Sequence, residues 1–153
     1  MKNTFFINFS KHFFLFFVFL QIPVSIPRYW VRPEYIQGDV STSFSKLTVR
    51  PDPLGTVFII GAWNFPFGLC LQPLVSAIAA GCTAVIKPSE VALNTCRLIK
   101  ELIPRYLDKE AYPVIFADGP ETSNILKKHR FDLVFFTGSP KIGRLVYQDW
   151  FYS

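Results

Sequence analysis

Cysteine is scarce in this chain, and the little there is falls into no reactive or metal-binding spacing. The 153 residues hold three cysteines, Cys70, Cys82 and Cys96. Their number is odd, they stand far apart, and no C-x-x-C is present. Neither His12 nor His129 lies at a zinc-type distance from them, so neither a disulfide scaffold nor a metal site is expected. The three thiols read instead as small core residues of a protein kept in a reducing compartment. Runs of like charge are missing as well. Sixteen Lys and Arg stand against eleven Asp and Glu, a net charge of +5, but twelve of the basic residues are scattered from Lys46 to Arg144. With no basic block and no recognised reading motif, nucleic acid is not expected as a partner; cofactor phosphates suit the same balance. No apolar stretch reaches the roughly 20 residues that span a bilayer. No internal repeat, no G-x-G-x-x-G fingerprint and no P-loop occurs.

Aromatic residues, by contrast, are plentiful. They make up 17% of the chain, with 17 Phe, and many cluster between Phe5 and Phe19. The apolar half of the composition is enough for one domain with a real core. Phe13 to Leu20 is an unbroken apolar run preceded by Lys2, Lys11 and His12. That length fits the hydrophobic region of a signal peptide, with a weak cleavage site at Val24-Ser25-Ile26. The same letters, ending in Gln21, are what a translated pyrimidine tract before a splice acceptor produces. We therefore treat residues 1–27 as a leader that is either signal-like or a gene-model artefact. Residues 28–53, broken by Pro33, Pro51 and Pro53, are expected to form an irregular linker, with order beginning at Leu54.

Beyond that point the pattern alternates. Val57-Phe58-Ile59-Ile60 is wholly apolar, as a strand buried on both faces should be. Pro66 to Ala80 is a predicted helix, opened by proline and closed by Gly81. Thr83 to Ile86 is a second buried strand. Ser89 is expected to cap a helix whose stripe is Val91, Thr95, Leu98 and Leu102, ending at Pro104. Tyr112 to Phe116 is a third strand, Glu121 to Lys128 a helix, Leu133 to Phe136 a fourth strand. Gly138 to Gly143 leads into a last helix. Strand and helix in turn, with short connections, predict an α/β fold: a Rossmann-like parallel sheet with helices on both faces, over residues 54–153. Ligands of such sheets bind past the carboxyl ends of the strands, where strand order reverses.

Three post-strand segments therefore carry the candidate residues. After the first strand come Trp63 and Asn64. Asn64 is either an ordinary turn residue before Pro66 or an amide donor held at the sheet's mouth for a developing oxyanion. After the second strand come Lys87, Pro88, Ser89 and Glu90. Lysine can donate to sugar hydroxyls and glutamate can accept from them, which suits a ribose diol; Glu90 equally suits a helix N-terminus through the dipole. After the fourth come Gly138, Ser139 and Gly143, where small residues and free N–H groups at a helix start suit a pyrophosphate.

The order Trp63-Asn64-Phe65-Pro66, Lys87-Pro88-Ser89-Glu90, Phe136-Thr137-Gly138-Ser139 resembles the aldehyde dehydrogenase superfamily. So does Gln72-Pro73-Leu74-Val75-Ser76-Ala77-Ile78-Ala79-Ala80-Gly81. With Ile103-Pro104-Arg105-Tyr106-Leu107-Asp108 and Pro120-Glu121-Thr122 added, the class 3 branch, acting on fatty and aromatic aldehydes, is the most similar. The resemblance covers Pro53 to Tyr147 and implies a partial NAD(P)-binding domain. It implies that Asn64 is the oxyanion-hole amide, that Lys87 and Glu90 hold the adenosine ribose, and that Ser139 with the backbone from Gly138 to Gly143 binds the pyrophosphate. It further implies NAD as cofactor, with NADP possible, an aldehyde substrate and a homodimer for the complete protein. A cytoplasmic setting is expected, with membrane association left open because the branch has soluble and tail-anchored members. The family's Glu-Leu-Gly-Gly and Gly-Gln-x-Cys segments, which carry the general base and the nucleophile, do not occur in these residues. Nor do Asp149 to Ser153 look like the family.

Overall fold

A computed structural model describes residues 32–39 and 45–153. The leader expected at residues 1–27 lies outside them. Among the described residues, no helix is long and apolar enough to cross a membrane.

The stretch 28–53 is not wholly irregular. Strands β1 (Glu34–Ile36) and β2 (Leu47–Val49) pair antiparallel, with Tyr35 opposite Thr48. Lys46 Nζ lies 4.5 Å above the Tyr35 ring. Pro33 and Pro51 flank the pair, where no ladder donor is required. Each strand has three residues, too short for a period-two pattern to show.

The main sheet is built on β3 (Thr56–Ile60), which lies between β4 (Thr83–Lys87) and β5 (Leu133–Phe136), parallel to both. The third expected strand, Tyr112 to Phe116, is reduced to a single bridge between Val114 and Ile86. Pro113 has no N–H to give to a ladder. Its carbonyl still accepts from Ile86 N–H at 2.9 Å, and Ile115 N–H donates back to the Ile86 carbonyl at 2.9 Å. In space the order is the 112–116 segment, β4, β3, β5. The chain builds outward on one side of β3 and then crosses to the other, so the strand order reverses between β3 and β5.

Period-two alternation sends the side chains of β3 to opposite faces. Val57 and Ile59 join a core completed by Cys70, Leu74 and Ala77 of α1 (Gly68–Ala79) and by Ile99 and Ile103 of α2 (Leu93–Tyr106). Phe58 and Ile60 join a second core with Phe131, Leu126 of α3 (Gly119–Lys128) and Trp150 of α4 (Pro140–Phe151). Helices cover both faces, as the sequence pattern requires.

Several boundaries move. Helix α1 begins at Gly68, after turns that tie Leu69 N–H to the Phe65 carbonyl at 3.0 Å; Pro66 precedes the helix without opening it. Gly81 closes it at φ +75°, the left-handed conformation that glycine adopts without strain. Ser89 does not cap α2. The helix starts at Leu93 with Ala92 at its N-cap position and no side-chain cap. Its buried stripe is Cys96, Ile99 and Ile103, whereas Val91 and Leu98 are exposed. A turn from Ser89 to Ala92 rotates the helix away from the expected phase. Pro104 lies inside the last turn rather than after it.

Helix α3 starts earlier than expected because Asp118 caps it. Glu121 N–H donates to Asp118 Oδ1 at 2.9 Å and Asp118 N–H donates to Glu121 Oε2 at 3.1 Å, a reciprocal capping box. Near the chain's end Trp150 belongs to the core, although residues 151–153 are exposed: it is buried, and its Nε1–H donates to the Phe131 carbonyl at 2.7 Å. Phe131 in turn stacks on Phe58, with ring centroids 4.7 Å apart.

Candidate functional site

The three candidate segments leave the sheet side by side. Ile60 is in register with Lys87 on one flank and Phe136 on the other. Neighbouring strands lie about 4.8 Å apart, so the turns after β3, β4 and β5 start within about 10 Å of one another. Gly61 N–H donates to the Lys87 carbonyl at 3.0 Å, which ties the first turn to the second.

The best-defined element is the Lys87–Glu90 pair. The Lys87 side chain is 6% exposed and its Nζ lies 2.7 Å from Glu90 Oε2; the Glu90 side chain is 52% exposed. Pro88 and Ser89 are buried beneath it. The Ser89 carbonyl accepts from Ala92 N–H at 3.1 Å, and Ser89 Oγ accepts from Val91 N–H at 3.4 Å. Glu90 thus stands in a turn ahead of α2 and not in its first helical turn, so the dipole explanation for its position falls away. Partial burial pushes the Glu90 carboxyl up, but the Lys87 ammonium holds it below its ordinary value. An ammonium is buried at the crevice with one carboxylate that remains open to solvent.

After β3, Trp63 and Asn64 are exposed, Trp63 at 65%. They stand on a bend at the mouth of the sheet. After β5, Ser139 occupies the N-cap of α4, where its Oγ accepts from Ile142 N–H at 3.4 Å. Gly138 is constrained by Phe136, whose ring occupies the space that a Cβ at 138 would need. Gly143 behaves differently from the expectation. It is buried, and its N–H donates to the Ser139 carbonyl at 2.9 Å within the helix. Its hydrogen bond is used internally, so it contributes small size and not a donor.

All three thiols are buried. Burial is the first cause that pushes the Cys70 thiol up to about 12, with Cys96 adding to it and Lys87 opposing. Burial likewise raises Cys96. Burial keeps all three from presenting an exposed nucleophile. Among the described residues no cluster of His, Cys, Asp or Glu is placed to hold a metal ion.

Sequence reasoning missed three features near this edge. Cys70 of α1 sits directly beneath Gly61, with Sγ 2.5 Å from where a Cβ on that glycine would stand. Ile142 and Leu145 are exposed on α4 beyond Ser139. Lys100 of α2 places Nζ 4.3 Å from the centre of the exposed Phe116 ring. Only Ile142 and Leu145 had a signal, the i, i+3 spacing of apolar residues behind a helix cap.

A family model described as "Aldehyde dehydrogenase family" matches residues 28–151. The chain belongs to the aldehyde dehydrogenase family. The match reaches beyond the span from Pro53 to Tyr147 that the motifs mark, and takes in both the β1–β2 pair and the segment through Trp150. Its relatives place it beside the class 3 members. It is 45% identical over 117 residues to aldehyde dehydrogenase family 3 member A2 of Pongo abelii, covering 76% of this chain and 24% of that protein. It is also 45% identical over 117 residues to a mouse protein named aldehyde dehydrogenase, dimeric NADP-preferring, covering 76% of this chain and 26% of the relative. Among solved structures, the substrate-bound state of Staphylococcus aureus AldH superposes with a TM-score of 0.75 at 40% identity, covering 80% of this chain and 27% of that one. The chain thus spans about a quarter of the length of these aldehyde dehydrogenases.

Proposed function

We propose that this chain contributes the nucleotide-binding edge of an NAD(P)-dependent aldehyde dehydrogenase that oxidises aldehydes to carboxylic acids. The observation that carries the reading is the buried Lys87 ammonium paired with the half-exposed Glu90 carboxylate at the carboxyl end of β4. A donor with hydrogens to spare beside an acceptor open to solvent suits the two hydroxyls of a ribose. Burial of a charge is costly, and the pair offsets that cost while leaving the ligand side open. Ser139 and the first turn of α4 suit the pyrophosphate, Trp63 and Pro88 frame the turns beside it, and exposed Ile142 and Leu145 offer an apolar surface to a base. The nicotinamide, when bound, supplies the hydride acceptor.

Asn64 is assigned the oxyanion. Its side-chain N–H₂ would donate to the aldehyde oxygen as negative charge builds on it during attack by a thiolate, a contact worth about 3 kcal/mol in a dry site. The thiolate and the general base are assigned to Gly-Gln-x-Cys and Glu-Leu-Gly-Gly segments, which these 153 residues do not contain. The buried thiols argue for a second reading of the chain by itself, a non-catalytic NAD-binding module. NAD is favoured over NADP, since Glu90 opposes a 2′-phosphate. A homodimer and a cytoplasmic setting remain our expectations for the complete enzyme.

Calorimetric titration of the chain with NAD+ and NADP+ tests the proposal. Saturable heat with NAD+, weakened in Lys87→Ala and Glu90→Ala, is the expected result. Absence of binding by a folded chain sinks it. A parallel aldehyde-oxidation assay separates the two readings, turnover favouring the enzyme and binding without turnover the module.

A further inference from the structure

Gly61 joins the turn that carries Asn64 to the strand end that carries Lys87, through the Gly61 N–H to Lys87 carbonyl bond of 3.0 Å. What holds Gly61 from beneath is Cys70, 0% exposed on α1, whose Sγ stands 2.5 Å from where a Cβ on the glycine would be. Ordinary carbon atoms do not approach so closely, so hydrogen at 61 and sulfur at 70 fill one space between them. The Lys87 carbonyl lies 3.8 Å from the same position. A group added at 61 therefore meets the sulfur first and has the Lys87 backbone within ordinary contact.

We infer that Cys70 is a positioning residue: its sulfur sets the height of the Gly61 turn and, through that turn's bond to Lys87, the place of the Lys87–Glu90 pair. The inference rests on the nucleotide reading of that pair only for its functional consequence. It explains why a thiol far from reactive is found against the crevice, where its size and softness matter and its chemistry does not. Cys70 touches no ligand in this assignment; it acts through Gly61.

The test is a reciprocal exchange of volume in the whole chain, using Gly61→Ala, Cys70→Ala and the double variant. Adding a methyl at 61 against the sulfur overpacks the turn, and NAD+ affinity by calorimetry should fall about tenfold. Removing the sulfur from Gly61→Ala makes room for the new methyl, and the double variant should return to within about twofold of the parent. Cys70→Ala alone covers the case in which Gly61→Ala does not fold: it should fold, bind NAD+ more weakly than the parent, and bind more weakly than the double variant. NMR titration of the Glu90 carboxyl is the readout that needs no cofactor. Its depressed midpoint should rise when the turn is displaced and fall back in the double variant. Equal affinity and equal Glu90 midpoints across all four proteins overturn the inference, as does a double variant no better than the worse single one. If the parent binds no NAD+ but the Glu90 midpoints follow the exchange, the nucleotide reading fails and the positioning role stands.

Discussion

The buried ammonium of Lys87 is matched by one carboxylate, that of Glu90, at 2.7 Å. Two charges that answer each other leave a crevice with little net field of its own. A diol can enter by sharing both partners, whereas a phosphate monoester brings negative charge against Glu90. Glu90→Gln should therefore raise affinity for NADP+ relative to NAD+ by roughly tenfold, as expected from removing one like charge at contact. Paired titrations with the two dinucleotides measure the ratio. An unchanged ratio places the 2′ position elsewhere.

The same pair sets a pH dependence. Glu90 has its folded pKa lowered below 4.5 by Lys87. The unfolded chain then takes up the proton first as pH falls. The contribution is full well above the ordinary carboxylate value and is lost as pH drops through the depressed one. Urea midpoints between pH 6 and pH 3 should fall less steeply in Glu90→Gln than in the parent. Parallel curves would show that the pair contributes nothing measurable.

Trp150 makes a definite stability claim. Its indole N–H satisfies the Phe131 carbonyl at 2.7 Å inside the second core. Trp150→Phe keeps most of the apolar volume but leaves that carbonyl without its donor, which should cost about 1–3 kcal/mol in chemical unfolding. Trp150→Ala adds a cavity and should cost about 3–5 kcal/mol. A loss below 0.5 kcal/mol in both, on the scale of surface changes, would show that the end of α4 does not close this core.

The capping box of α3 offers a smaller test. Asp118→Ala removes one of its two reciprocal bonds and should cost about 1 kcal/mol. Amide exchange should quicken over the first turn of α3 and not in β3. Uniform quickening would mean that the cap is coupled to global unfolding.

Cys70, Cys82 and Cys96 should resist thiol reagents in the native chain at pH 7, because burial hides all three and holds Cys70 up at about 12. Labelling should be slower than in denaturant by on the order of a hundredfold or more. Rapid native labelling of any one would contradict its burial.

Much of this was legible in the letters, and the failures have physical causes. Val57 to Ile60 and Leu133 to Phe136 could be placed because a strand buried on both faces must be apolar at every position. That the three post-strand segments converge followed from the parallel connection rule, and the register of Ile60 with Lys87 and Phe136 agrees. The phase of α2 was missed because the turn from Ser89 to Ala92 is made by local bonds to the Ser89 carbonyl and hydroxyl that leave no periodic trace. The β1–β2 pair was missed because three residues are too few to alternate. That Trp150 closes the second core was not legible, because its indole bonds a backbone carbonyl, which no side-chain pattern can announce. Cys70 beneath Gly61 belongs to the same class, a contact between elements whose only local sign is the smallness of a glycine.

The two-sided burial of β3 has a consequence for how the chain is made. On a ribosome, Val57 and Ile59 find α1 and α2 soon after they emerge, but the cover for Phe58 and Ile60, from Leu126 to Trp150, is encoded roughly seventy to ninety residues downstream, several seconds later at ordinary rates of synthesis. For that interval one side of the nascent sheet is a bare apolar surface, the kind of surface that a chaperone grips and that a neighbouring nascent chain can stick to.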